Sequence, residues 1–101
     1  DRVVAIEGAA QIQKLPQQLM DLFQSNIVSV YDHLQSDKSL AEPARQELIV
    51  ILEGLSYAVE NGNAMLIKSQ WLGLKYALLA NRAYTSQVRA FENELKNYSI
   101  I

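Results

Sequence analysis

The sequence predicts an all-α protein, an antiparallel helical bundle of four to five helices with a long C-terminal helix. Apolar residues recur at intervals of three and four along most of the chain, which is the period of an amphipathic helix. Gly and Pro are scarce, and both prolines stand at the start of an apolar run. Half of the residues are apolar and a fifth are charged, as in folded globular chains. We therefore expect one helical domain over residues 1–101.

The N-terminal part contains a weak helical pattern followed by a clear one. We expect a short helix from about Val3 to Lys14, with a strand over Val3–Ile6 as the alternative. Pro16 cannot continue that helix because it lacks an amide donor, but the first turn of the next helix needs none. This second helix should fade near residue 36. Its apolar stripe comprises Leu19, Phe23, Ile27, Val30, Tyr31 and Leu34.

The middle of the sequence predicts a third helix with sharp boundaries. Pro43 suits its first turn, and Gly62 ends it because glycine adopts the left-handed cap conformation without steric cost. Asn63 can then cap the following helix. The apolar positions are numerous enough for packing on more than one side: Leu48, Ile49, Val50, Ile51, Leu52, Leu55, Ala58 and Val59.

The last part of the chain carries two apolar stripes that are out of phase. The first is Ala64, Ile67, Trp71, Leu74 and Leu78, and the second is Tyr84, Val88, Phe91, Leu95 and Tyr98. The stripe changes side near Asn81, so either two helices meet there or one long helix serves two partners. We favour one long helix, bent or continuous, because of the spacing of the basic residues.

Five basic residues lie seven positions apart: Lys68, Lys75, Arg82, Arg89 and Lys96. On a continuous helix they form a cationic stripe that drifts by only ~20° at each step. No acidic residue occurs from Asn61 to Phe91, whereas residues 1–60 carry nine acidic and four basic residues. One interpretation is a solvated helix face that is screened by acidic residues of the second and third helices. The other is a docking strip for an acidic segment of another protein or an anionic lipid.

Aromatic residues of the last part are the second candidate for partner binding. Trp71, Tyr76, Tyr84 and Phe91 could contact another protein, although aromatic residues with this periodicity more often lie in a core. Leu72 and Leu79 could join this apolar surface where the core leaves them uncovered. On a continuous helix the second stripe projects beyond the bundle, and a second copy could cover it as a homodimer.

Residue types needed for catalysis are sparse. The absence of Cys excludes disulfides and thiolate metal sites, and is compatible with the intracellular, cytoplasmic location that we expect. His33 is the only histidine, and no Glu-x-x-His pair or glycine-rich phosphate loop occurs. We therefore expect no enzyme, no metal and no cofactor. The net charge of −2 disfavours nucleic acid as a partner, and no apolar run is long enough to span a membrane.

One stretch resembles a known family. It combines a short helix at Ala5–Leu15, the turn Pro16-Gln17-Gln18-Leu19, a helix through Phe23, Ile27 and Tyr31, and the run from Leu48 to Leu55. These features in residues 5–62 resemble the HEAT-like helical repeats of nuclear transport receptors of the exportin (karyopherin) type. The resemblance implies helical pairs that stack into a superhelix and bind cargo or a small GTPase, and it implies that this chain is a segment of a longer array.

These patterns favour a non-catalytic domain for protein–protein interaction or assembly, an adaptor or scaffold. Its partner is another protein, with an acidic segment as one possibility and a second copy as another. The alternatives are a segment of a helical-repeat nuclear transport receptor and a helical bundle that binds a small ligand.

Overall fold

The computed structural model describes residues 15–101, and these residues form a helical bundle. Its four helices are α1 (Gln17–Ser36), α2 (Glu42–Asn61), α3 (Ala64–Ala80) and α4 (Ser86–Asn97). The predicted all-α class is confirmed for this part of the chain. The short helix expected over Val3–Lys14 lies outside the described residues.

The helix boundaries follow the residues that predicted them. Pro16 directly precedes α1, and Pro43 lies in the first turn of α2, where a missing amide donor costs nothing. Gly62 ends α2 with a positive φ of 66°, and its amide donates a 2.9 Å hydrogen bond to the carbonyl of Val59. The side chain of Asn63 accepts a 3.1 Å hydrogen bond from the amide of Leu66 and so caps α3.

The helices pack in an antiparallel order. α2 packs against both α1 and α3, and α1 also packs against α4. Gln24 on α1 donates a 3.0 Å hydrogen bond to the carbonyl of Ser56 near the end of α2. At the other end of the pair, Arg45 donates hydrogen bonds to the carbonyls of Leu34 and Asp37 at 3.1 and 2.7 Å. Arg45 therefore satisfies carbonyl groups at the C-terminal end of α1, and it fixes the turn between α1 and α2.

One hydrophobic core joins all four helices. At its centre the Phe91 ring lies 5.5 Å from the Trp71 ring and 5.9 Å from the Phe23 ring, measured between centroids. These three side chains are fully buried and belong to α4, α3 and α1. Such aromatic contacts add to the free energy gained by removing apolar surface from water.

The expectation of one long C-terminal helix is wrong, because α3 ends at Ala80 and α4 begins at Ser86. Arg82 takes a left-handed conformation with φ 56°, and its amide bonds to the carbonyl of Leu79 at 3.2 Å. The amide of Ala83 bonds to the carbonyl of Leu78 at 2.8 Å, and Ala83 is fully buried. These two bonds form a Schellman motif, a common helix end that usually uses glycine. The change of phase between the two apolar stripes therefore marks a true break.

Candidate functional site

The outer side of α3 exposes a row of large apolar side chains. Met65, Leu72, Tyr76 and Leu79 have exposed fractions between 39% and 82%. At 100° per residue these four positions fall within about 60° of one another on the helix. Lys68 is exposed one turn from Met65. We call these five residues the α3 outer face.

The opposite side of the same helix is equally apolar. Ile67, Trp71, Leu74 and Leu78 are all fully buried against the rest of the bundle. A helix on the surface of a monomeric bundle normally pairs one apolar side with one polar side. Because α3 is apolar on both sides, its outer face is a candidate contact surface.

The basic residues do not form one continuous stripe, which corrects the sequence-based expectation. Lys75 is paired with Glu92 at the edge of the core, and Arg82 lies in the break after α3. Arg89 belongs to α4 and its guanidinium lies 5.9 Å from the centroid of the Tyr84 ring. Lys96 lies in the last turn of α4, where a cation interacts favourably with the helix dipole. The break at residues 81–85 therefore divides the five basic residues, and Lys68 is the member on α3 that has no ion pair with residues 15–101.

Three of the four aromatic residues expected to bind a partner are also placed differently. Trp71 and Phe91 are fully buried, and Tyr84 packs against the core. Their role is structural, as in the alternative that the sequence left open. Tyr76 remains exposed, together with Leu72 and Leu79. Met65 is a further exposed apolar residue that was not among the expected partner-binding residues, although its spacing of seven residues from Leu72 places it on the same side of the helix.

A polar cluster links α3 to α4 and had no signal in the sequence. The Lys75 ammonium lies 2.6 Å from a carboxylate oxygen of the buried Glu92, and the Tyr84 hydroxyl donates a hydrogen bond to the other oxygen. Burial raises the pKa of Glu92, but the hydrogen bonds from Lys75 and Tyr84 outweigh this effect and hold the pKa below its ordinary value.

The same cluster keeps Tyr84 protonated. Burial and the hydrogen bond to Glu92 raise the pKa of Tyr84 to about 12. Both oxygens of Glu92 have partners, and the Lys75 ammonium is paired with one of them. This arrangement fixes α4 against α3.

α1 and α2 also expose large apolar side chains. Val28, Tyr31, Val50 and Tyr57 have exposed fractions between 37% and 64%. A groove of about 180 Å³ between the two helices is lined by Gln24, Ile27, Val28, Tyr31, Leu52, Glu53 and Ser56. This volume is below the roughly 300–1,000 Å³ of most small-molecule pockets.

The same two helices also expose acidic residues. Asp21, Asp32, Glu47, Glu53 and Glu60 are all exposed on α1 and α2, and none forms an ion pair with a residue in 15–101. We define a second surface, named the acidic face, by three acidic residues and the four exposed apolar residues of the same helices. Its members are Asp32, Glu53, Glu60, Val28, Tyr31, Val50 and Tyr57. Its charge is opposite to that of the α3 outer face.

Among residues 15–101, no three His, Cys, Asp or Glu side chains gather in a way that could hold a metal ion. His33 lies 4.0 Å from Asp37 at the end of α1, and Asp37 accepts hydrogen bonds from Ser39 that lower its pKa. None of the four described helices combines the length and the apolar character needed to cross a membrane.

Comparison with known proteins gives no relative: no protein-family model matches the chain, and neither a curated protein nor a solved structure is significantly similar to it. The resemblance of residues 5–62 to exportin-type repeats therefore stays a prediction.

Proposed function

We propose that this chain is a non-catalytic protein–protein interaction domain whose binding surface is the α3 outer face. The occupant is a protein surface that combines apolar side chains with acidic ones. The observation that supports this proposal best is the two-sided apolar character of α3, with Ile67, Trp71 and Leu74 buried on one side and Leu72 and Tyr76 exposed on the other.

The apolar row supplies the affinity of the proposed contact. Each large apolar side chain that becomes fully buried contributes roughly 1.5–3 kcal/mol, before the entropic cost of association. Tyr76 and Met65, the two most exposed members of the row, offer the most area to a partner. Tyr is enriched among residues that dominate binding energies, because it presents a large rigid surface with a polar tip.

Charge supplies the selectivity. Lys68 has no ion pair or side-chain hydrogen bond with a residue in 15–101, and no acidic residue occurs between Asn61 and Phe91. An acidic partner would compensate this charge, whereas a basic partner would meet repulsion. The contact should also weaken with added salt, since exposed charges are screened over ~8–10 Å.

A pair of designed peptides tests this proposal. Each is an amphipathic helix with the same Leu and Tyr stripe, and the stripe is flanked by Glu in one peptide and by Lys in the other. Fluorescence anisotropy with the full chain at low micromolar concentration should show binding of the acidic peptide, with affinity at least about tenfold above that of the basic one. Leu72→Glu should abolish this binding. Val50→Glu is the matched control, because Val50 is exposed on α2 and is not part of the α3 outer face.

Two results would contradict the proposal. One is equal affinity for the acidic and basic peptides, which would mean that Lys68 and the acid-free segment give no selectivity. The other is binding that survives Leu72→Glu, which would place the contact elsewhere on the bundle.

A further inference from the structure

We infer that the occupant of the α3 outer face is the acidic face of a second copy of this chain, so that copies associate head to tail. This inference rests on the proposed function and names its partner. It draws on two surfaces of the same molecule that match in charge, in apolar character and in spacing.

Charge complementarity is the first argument. α1 and α2 contain six acidic residues against one arginine, and that arginine is bound to the turn between them. α3 contains no acidic residue, and Lys68 supplies its outward charge because Lys75 is paired with Glu92. Positive and negative charge therefore lie on different helices of one bundle. A second copy can supply the acidic residue that Lys68 does not find on α3.

The spacing of the exposed apolar residues is the second argument. Met65, Leu72 and Leu79 follow one another at intervals of seven residues, and Val50 and Tyr57 are also seven residues apart. On a helix this interval corresponds to ~10.5 Å along the axis. Two helices with the same interval can interleave their apolar side chains in one register when they pack side by side.

Glu53 places a carboxylate between the two exposed apolar residues of α2, Val50 and Tyr57. It lines the groove between α1 and α2, and it falls within about 60° of both Val50 and Tyr57 on the helix. Lys68 stands in the corresponding place beside Met65 and Leu72 on the other surface. When the α3 outer face of one copy packs on the acidic face of another, the apolar contacts and a Lys68–Glu53 ion pair can therefore form together.

A symmetric dimer through α3 alone is less favourable. It would bring the Lys68 residues of two copies into one interface, and α3 has no acidic side chain to compensate them. Like charges that face each other across an interface cost binding free energy. Contact between two different faces avoids this cost, and it leaves one face of each kind free at the ends. Copies then form open chains, or a ring where the rotation closes.

Complementation between two blocked variants tests the head-to-tail geometry. The variant Leu72→Glu/Tyr76→Glu blocks the α3 outer face, and the variant Val50→Lys/Tyr57→Lys blocks the acidic face. Sedimentation should show that the average molecular mass of the natural protein increases with concentration, because copies associate. Each variant alone should be monomeric. An equimolar mixture should give a one-to-one dimer and nothing larger, because each partner retains only one competent face.

Folding of the variants is checked by helical circular dichroism and by the emission of Trp71, the single and fully buried tryptophan. Two single substitutions, which perturb the fold less, provide the test if a double variant does not fold. Lys68→Glu and Glu53→Lys should each weaken association by roughly tenfold. Their mixture should associate more tightly than either variant alone, since the exchanged charges attract across one type of contact.

Three outcomes would overturn the inference. Dimerisation of Val50→Lys/Tyr57→Lys by itself would indicate a symmetric contact through α3. A mixture that remains monomeric would show that the two faces do not bind each other. A natural chain that stays monomeric at every concentration, while it still binds the acidic peptide, would remove the second copy as partner and leave the interaction domain in place.

Discussion

The Lys75 ammonium on α3 lies 2.6 Å from a carboxylate oxygen of Glu92 on α4, across seventeen residues of sequence and a break between the helices. The Glu92 side chain is only 8% exposed and that of Lys75 32% exposed, so the pair sits at the edge of the core. It pairs one cation of α3 with a carboxylate of α4 and fixes α4 beside the Trp71–Phe91 contact.

Replacing Glu92 by Gln should lower the free energy of unfolding by about 1–2 kcal/mol, because Lys75 loses a charged acceptor while water still reaches its ammonium. Urea unfolding followed by Trp71 emission measures the change. Glu94→Gln is the control on the same helix, since Glu94 has no ion pair with residues 15–101 and its replacement should change the free energy by less than about 0.5 kcal/mol. Equal effects would show that the Lys75–Glu92 pair adds no stability.

The stability should depend on pH through the same residue. The pKa of Glu92 in the folded chain lies below its ordinary value of 4.5, so the ionised form is favoured by folding. Its contribution is fully present above pH 4.5 and is lost as the pH falls through the lowered value. Asp37 and Glu42 also have lowered pKa values and contribute to the same acid loss.

The difference between the natural chain and Glu92→Gln isolates the Glu92 part of this pH dependence. Urea midpoints measured from pH 7 to pH 3 should converge as the pH falls, because both chains then carry an uncharged group at position 92. A constant difference across that range would mean that ionisation of Glu92 does not stabilise the fold.

Arg82→Gly should raise the free energy of unfolding by about 0.5–1 kcal/mol. Arg82 has a φ of 56°, a conformation that costs a residue with a side chain about 1–2 kcal/mol and glycine almost nothing. Ala90→Gly, at an exposed position inside α4, should instead lower the free energy by about 1 kcal/mol. The sign of the Arg82 effect is decisive, since a glycine inside one continuous helix would destabilise it.

Much of the fold was predictable because the chain marks its helix boundaries chemically. Pro16, Pro43, Gly62 and Asn63 each occupy the boundary that their backbone or side-chain chemistry favours. The buried positions of α1 and α2 likewise follow the apolar spacing, except that Tyr31 and Val50 were among the predicted apolar positions and are exposed. Local chemistry and packing agree in these two helices.

The break after α3 was not predictable from residue types alone. Neither Gly nor Pro occurs between Asn81 and Thr85, and the left-handed position is filled by Arg82. Burial of Ala83 and the hydrogen bonds of the Schellman motif offset the cost of that conformation. The seven-residue spacing of the basic residues suggested continuity, yet the phase change of the apolar stripes was the reliable signal, because core packing determines where a helix ends.

The candidate site was predictable only in part, because a one-dimensional pattern does not show which side chains engage each other. Leu72, Tyr76 and Leu79 are exposed as the sequence suggested. Lys75 was grouped with the other basic residues, but Glu92 engages it from another helix. Such pairing depends on tertiary packing and leaves no trace in spacing along the chain.

Leu52→Ala should cost about 2–5 kcal/mol of unfolding free energy, since Leu52 is almost fully buried on α2, between α1 and α3. Val50→Ala is the matched control on the same helix, and its effect should stay within about 0.5 kcal/mol because Val50 is exposed. Thermal and urea unfolding of both variants measure the difference. A cost well under 1 kcal/mol for Leu52→Ala would show that α2 is not central to the core.

Two glycine-to-alanine substitutions should act in opposite directions. Gly62 ends α2 with a φ of 66°, where an added methyl group is strained, so Gly62→Ala should lower the free energy of unfolding by about 1 kcal/mol. Gly73 lies inside α3, and a methyl group there would meet nothing within 4 Å. Gly73→Ala should therefore raise the free energy of unfolding by about 0.5–1 kcal/mol through helix propensity. Urea unfolding of the two variants checks both signs, and a destabilising Gly73→Ala would mean that α3 is not a regular, uncovered helix at that position.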